Sequence, residues 1–188
     1  MIDQKLLEKY NQPLPRYTSY PPATSFHEGF TGQDYIRAVE QSNHERPRAI
    51  SLYLHIPFCP RLCFYCGCNT HISKDEELHD RYMEALHQEI RMIAGLLDKD
   101  RPVTQIHWGG GTPNALPVEK IEETMDLIRD LFTLGPATEN AMECNPAYLD
   151  KPYIDRLINA GFNRISLGVQ DFDTQVLKAV NREPSALP

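Results

Sequence analysis

From Ile50 to Asn181 the chain alternates four times between a short β-branched or aromatic run and a longer segment with apolar residues every three or four positions. That alternation limits the fold more than any compositional figure. The first run is Ile50–Ile56, and a long helix is expected after it. A capping box, Ser73-Lys-Asp-Glu76, opens that helix, and Leu78, Tyr82, Leu86, Ile90, Ile93 and Leu97 line its buried face. Val103–Trp108 reads as the second strand. A glycine turn follows, then a helix from near Pro117 with the stripe Val118, Ile121, Met125, Ile128, Phe132. Asn140–Cys144 is the third strand; Asp150 caps the next helix and Gly161 ends it. Arg164–Val169 is the fourth strand, and Asp173 caps a last helix running to about Asn181. Four β/α units in succession imply an α/β fold, with a parallel sheet and right-handed crossovers, open or curling toward a TIM-like barrel. In such folds the active site lies at the carboxyl ends of the strands.

Before residue 49 the organisation differs. A short helical pattern (Leu6, Leu7, Tyr10) leads into a loop rich in proline and tyrosine, Tyr10 to Pro22, whose X-Pro steps oppose regular helix. A helix is expected from Thr31, its N-cap, to about Ser42, with Tyr35, Ile36 and Val39 on one face. We read 1–49 as a pre-barrel segment and 50–188 as the core. No run reaches membrane-span length, and the N-terminus carries no targeting pattern. A net charge of −7 argues against a nucleic-acid partner, which needs a basic footprint.

Four of the five cysteines fall within ten residues, Cys59-Pro-Arg-Leu-Cys63-Phe-Tyr-Cys66-Gly-Cys68, directly after the first strand. A disulfide framework fits badly, because the cysteines are bunched and no secretory signal precedes them. Structural zinc is the competing reading, but it usually takes two separated knuckles, and no second Cys or His pair follows here. The C-x₃-C-x₂-C spacing instead lets three thiolates hold three irons of a cubane and leave the fourth open to a small chelating ligand. This is the pattern of the radical S-adenosylmethionine (SAM) enzymes. Clustered thiols without a targeting signal also imply a reducing cytoplasm.

Further groups sit at or after strand ends. Trp108-Gly-Gly-Gly-Thr-Pro113 is either a tight βα turn or a groove that lets a ligand approach the backbone. Glu143, at the end of the third strand, suits an ammonium or a ribose hydroxyl, although a lone carboxylate is more often salt-bridged. Gln170, in Gly168-Val-Gln-Asp-Phe172, and Arg182, one helix later, suit polar and anionic ligands. Each is weak alone. Cys144 reads as core; His55 and His107 lie on strands near the site.

Together, Tyr53-Leu-His-Ile-Pro-Phe-Cys59, the cysteine triad with Gly67-Cys68, Gly109-Gly-Gly-Thr-Pro113, Gly168-Val-Gln170, Val180-Asn-Arg182 and Pro15-Arg-Tyr-Thr-Ser-Tyr-Pro21 resemble the oxygen-independent coproporphyrinogen III oxidases. The resemblance implies a partial TIM-like barrel of the radical SAM type behind an N-terminal lid. It implies a 4Fe–4S cluster on Cys59, Cys63 and Cys66, and two SAM molecules. Tyr53, Gly110 and Glu143 match contacts to the first SAM. Tyr65 (often Phe in the family), Gly111, Thr112, Gln170 and Arg182 match contacts to the second. Cys68 matches a cysteine that matters for function without binding iron, and it separates the oxidases from the related haem-chaperone branch. The implied reaction converts two propionates of coproporphyrinogen III to vinyl groups, by way of a SAM-derived 5′-deoxyadenosyl radical, in haem biosynthesis. An electron donor such as flavodoxin or ferredoxin and a monomeric state are also implied. Arg16 is the basic residue of the lid best suited to a substrate propionate. A haem chaperone and a radical SAM enzyme acting on another tetrapyrrole are the alternatives. The family extends well beyond the four units, so further barrel strands are expected outside these residues.

Overall fold

Alternating residues of a strand point to opposite sides, so a sheet whose strands are apolar on one side only must bury that side and leave the other open. The computed structural model, which describes residues 3–11 and 22–186, shows how this chain does so. It divides into two compact units, Met1–Ala38 and Val39–Pro188. In the first, Asp3 caps α1 (Gln4–Tyr10) by accepting from the Lys5 amide. α2 (Gly32–Ser42), whose residues fall in both units, begins with the expected Thr31 cap. The Thr31 hydroxyl accepts from the Asp34 amide at 3.3 Å, and the Asp34 carboxylate accepts from the Thr31 amide at 2.8 Å. Arg16 and the Pro15–Pro21 segment lie outside the described residues.

The second unit carries β1 (Ile50–Ile56), the two-residue strands β2 (Phe58–Cys59) and β3 (His71–Ile72), then α3 (Glu76–Leu96) and β4 (Pro102–Gly110). It continues with α4 (Val118–Leu131), β5 (Thr133–Cys144), α5 (Lys151–Asn159), β6 (Arg164–Leu167) and α6 (Thr174–Ala179). The main sheet is parallel throughout, in the order β1-β4-β5-β6. This is the α/β arrangement of a partial barrel. Leu54, Ile56, Ile106, Trp108 and Met142 face the helices and are buried. Ile121, Met125 and Ile128 of α4 and Leu157 of α5 pack against them, each fully buried. A fully buried side chain of this size contributes roughly 1.5–3 kcal/mol. Arg156 of α5 pairs with Glu119 and Glu122 of α4 across the contact between the two helices.

Several boundaries differ from the sequence expectation, each for a local reason. The Ser73–Glu76 capping box does not form. Asp75 is the N-cap of α3, accepting from the Glu77 and Leu78 amides, while the Ser73 hydroxyl accepts from the Asp75 amide. A carboxylate at the positive end of a helix outcompetes a hydroxyl two residues earlier. The most buried side chains of α3 are His79 and Met83, which flank the expected stripe. β5 begins at Thr133 rather than Asn140, because Gly135 and Pro136 hide a strand that continues through a register shift. The Thr138 hydroxyl bridges that shift, donating to the Val103 carbonyl at 2.8 Å and accepting from the Gly135 amide at 3.0 Å. Gly109 and Gly110 belong to β4, so the turn starts only at Gly111. β6 stops at Leu167, not Val169; three residues farther on Gln170 adopts φ 68, which no extended strand accommodates. α6 ends at Ala179, two residues short of Asn181.

Candidate functional site

The cysteine loop leaves β2 and returns through β3, whose pairing (Phe58 with His71, Cys59 with Ile72) closes its base. Neither two-residue strand carries a periodic signal, so sequence reasoning missed both. The loop caps a pocket of about 340 Å³ at the carboxyl end of the sheet. Cys59, Cys63, Cys66 and Cys68 line it together with Tyr65. From the strand ends come Gly110, Gly111, Thr112 and Glu143; Gln170 and Arg182 complete it from beyond β6. Tyr53 is not in that wall. It stands beside it on β1, where its hydroxyl and the Glu143 carboxylate close over Gly109, 3.1 and 3.0 Å from where a Cβ would sit.

Polar contacts hold these groups in place. The Cys59 sulfur lies 3.1 Å from the Thr112 hydroxyl. Burial above all pushes the Cys59 thiol pKa up; Thr112 and Arg182 pull it back, and Cys66 and Cys63 oppose them. The Cys68 thiol is also pushed up, first by partial burial and then by Cys66. His55 Nε2 lies 2.9 Å from the Asn69 carbonyl, which can only accept, so the proton sits on Nε2. Nδ1 then accepts from the Tyr53 hydroxyl at 3.1 Å. His107 stacks on Tyr53 and lies 3.3 Å from the Glu143 carboxylate. Cys144 is buried core, its thiol pushed up to about 12 by burial and by Glu143.

Two asparagines escaped sequence reasoning. Asn145 donates its amide to Asn114 Oδ1 at 2.8 Å, and Asn114 Nδ2 donates back to the Asn145 carbonyl at 2.9 Å. This buried pair locks the loop after β4 to the loop after β5. A polar residue immediately after each strand-end motif was the only available sign.

The pocket suits a zwitterion. The Gly111 and Thr112 amides are spent on the Ile56 and Phe58 carbonyls. A ligand ammonium therefore meets the Glu143 carboxylate rather than competing donors. Arg182 donates to the Gly168 carbonyl at 2.6 Å and reaches the Cys63 sulfur at 3.6 Å, while its buried Nε has no hydrogen-bond partner among the described residues. An unsatisfied buried donor of this kind suits an incoming carboxylate.

The sequence profile of the Radical SAM superfamily matches residues 53–186. The chain belongs to this superfamily. Membership implies a 4Fe–4S cluster and SAM. The donor set fits the cluster, since all four thiols of the loop line one pocket with no histidine among the lining residues. Among the described residues no three Cys, His, Asp or Glu side chains converge on a single ion. A cubane asks for no such convergence, because it spreads its thiolates over separate irons. The chain is 48% identical over 184 residues to the oxygen-independent coproporphyrinogen III oxidase of Synechocystis sp., covering 97% of this chain and 39% of that protein. It is 45% identical over 181 residues to the Escherichia coli protein of that name, covering 96% and 39%. The solved structure of coproporphyrinogen III oxidase from Escherichia coli superposes with a TM-score of 0.84 at 42% identity, again over 96% and 39%. The chain thus spans about two fifths of these relatives.

Proposed function

We propose that this chain forms the cluster- and SAM-binding part of an oxygen-independent coproporphyrinogen III oxidase, acting in haem biosynthesis. The observation that carries this reading is the single pocket that gathers the cysteine triad, the Gly110–Thr112 turn, Glu143, Gln170 and Arg182. In it, Cys59, Cys63 and Cys66 are the iron ligands and Cys68 acts without binding iron. Residues 1–49 precede the barrel and 50–188 form its first part. The protein works as a monomer in the cytoplasm with an electron donor such as flavodoxin or ferredoxin.

When bound, the cluster and SAM supply the radical that takes a hydrogen from the substrate's propionate side chain. The chain's own residues bind and orient. Glu143, 3.3 Å from His107, would hold the ammonium of the first SAM, with Tyr53 beside it over Gly109. Gly111 and Thr112 would line the place of a second SAM, the Arg182 guanidinium would pair with its carboxylate, and Tyr65 would supply an aromatic wall. Gln170 holds a left-handed backbone at φ 68, the kind of strain concentrated at functional sites. Gly168 permits that crowding: a Cβ there would lie 3.0 Å from Arg182 Nη2 and 3.1 Å from Gln170 Nε2.

The test is a chimera in which this chain replaces the matching part of the Escherichia coli enzyme. Under anaerobiosis, with SAM and reductant, it should convert coproporphyrinogen III to the divinyl product. Cys68→Ser in that chimera should keep its iron and lose at least about 100-fold in turnover, the scale on which a missing proton-transfer group is felt. Haem binding without turnover would favour the chaperone branch instead.

A further inference from the structure

We infer that Asn181 is a positioning residue that clasps the cysteine loop to the end of α6. The inference rests on the proposal that this loop carries the cluster.

Two helices of the core end in the same way. After α5, Gly161 takes φ 90 and the Phe162 amide reaches back to the Leu157 carbonyl at 3.0 Å. After α6, Asn181 takes φ 55 and the Arg182 amide reaches back to the Leu177 carbonyl at 2.8 Å. Both are Schellman endings, in which the left-handed position usually falls to glycine because any Cβ is costly there. Asparagine bears that cost at α6, and both polar atoms of its side chain face the cysteine loop. Asn181 Nδ2 donates to the Leu62 carbonyl at 2.7 Å, and Asn181 Oδ1 faces Arg61 Nη1 at 3.4 Å.

Neighbouring bonds make the clasp continuous. The Phe64 amide donates to the Val180 carbonyl at 3.0 Å, and Arg61 pairs with Glu183 at 3.3 Å. Residues 61, 62 and 64 are thereby tied to residues 180, 181 and 183, on either side of Cys63. The same turn aims Arg182 at Cys63. The position of one thiol and the direction of one SAM-binding arginine are therefore set by a single helix ending. A glycine would make that ending but could not reach Leu62.

Two variants test the clasp. Asn181→Gly keeps the left-handed turn and removes both side-chain bonds. Asn181→Asp keeps the side-chain shape and the oxygen facing Arg61, but turns the donor to Leu62 into an acceptor. Hydrogen exchange of the iron-free chain should show the Phe64 amide exchanging about three- to tenfold faster in both, the range for one ordinary hydrogen bond. Amides of Ile106 and Met142 should not change. After anaerobic reconstitution, both variants should release iron to a chelator faster by a similar factor. Unchanged Phe64 exchange in both variants would overturn the inference. So would a general loss of core protection in Asn181→Gly, which would mark a residue of global stability. If the unaltered chain took up no iron, the cluster reading would fall, and the exchange measurement would still decide the role of Asn181.

Discussion

Glycine 111 shows how narrowly a single position can be set in this protein. A Cβ there would lie 2.6 Å from the Pro57 carbonyl oxygen and 2.7 Å from that of Phe58, both backbone atoms that cannot swing aside. The contact exists because the Gly111 amide bonds Ile56 and the Thr112 amide bonds Phe58, joining the end of β4 to the start of the cysteine loop. Gly67, between Cys66 and Cys68, has nothing within 4 Å of its Cβ position among the described residues. Gly111→Ala should therefore cost about 1–3 kcal/mol in chemical denaturation, the usual range for overpacking. Gly67→Ala should stay within about 0.5 kcal/mol. The reverse order would show that the glycine turn is held by conformational freedom rather than by close approach.

At the scale of elements, helix contacts carry a pH dependence. His87 of α3 lies 2.7 Å from the Thr124 hydroxyl of α4, which itself donates to the Lys120 carbonyl. The imidazole must then donate from Nε2. Burial first, and Arg91 second, lower the His87 pKa from the usual 6.5. The folded chain thus resists protonation that the unfolded chain accepts. Stability should be complete above 6.5 and fall as pH drops through the lowered value. His87→Gln should flatten that fall in denaturation midpoints between pH 7 and 5; an unchanged slope would place its origin elsewhere. The elements themselves were legible where periodicity was strong: α4 starts at Val118, beside the expected Pro117, and buries Val118, Ile121, Met125 and Ile128 of its expected stripe, while Phe132 falls at its C-cap and is half-buried. They were illegible where structure depended on distant partners. β2 and β3 exist because the cysteine loop closes on itself, and the first half of β5 exists because Thr138 bridges a register shift. Likewise the sequence indicated most residues of the pocket wall. It did not indicate that Tyr53 stands beside the wall, or that Asn114 and Asn145 lock two loops together.

At the scale of the whole molecule, the sheet has a covered side and an open one. Helices bury Ile106, Trp108 and Met142, while the opposite side carries Tyr53, His107, Glu143 and the linked group Gln105, Glu139 and Arg164. Among the described residues β1 and β6 each pair on one side only. No helix there is long and apolar enough to cross a membrane. Among the described residues the open side presents these polar groups but not the enclosure that the proposed reaction on a large anionic macrocycle would need against water. This chain by itself should therefore yield no vinyl product from coproporphyrinogen III; product formed by these 188 residues alone would contradict that reading. The central claim is that three thiols of one loop hold a cluster with an open iron. Electron paramagnetic resonance of the anaerobically reconstituted and reduced chain, recorded with and without SAM, tests it most directly. The account predicts about four irons per chain, a cluster signal that SAM shifts, and loss of that signal when any one of Cys59, Cys63 or Cys66 is changed to Ala. Stoichiometric tetrahedral zinc with no iron uptake, or a cluster signal indifferent to SAM, would contradict it.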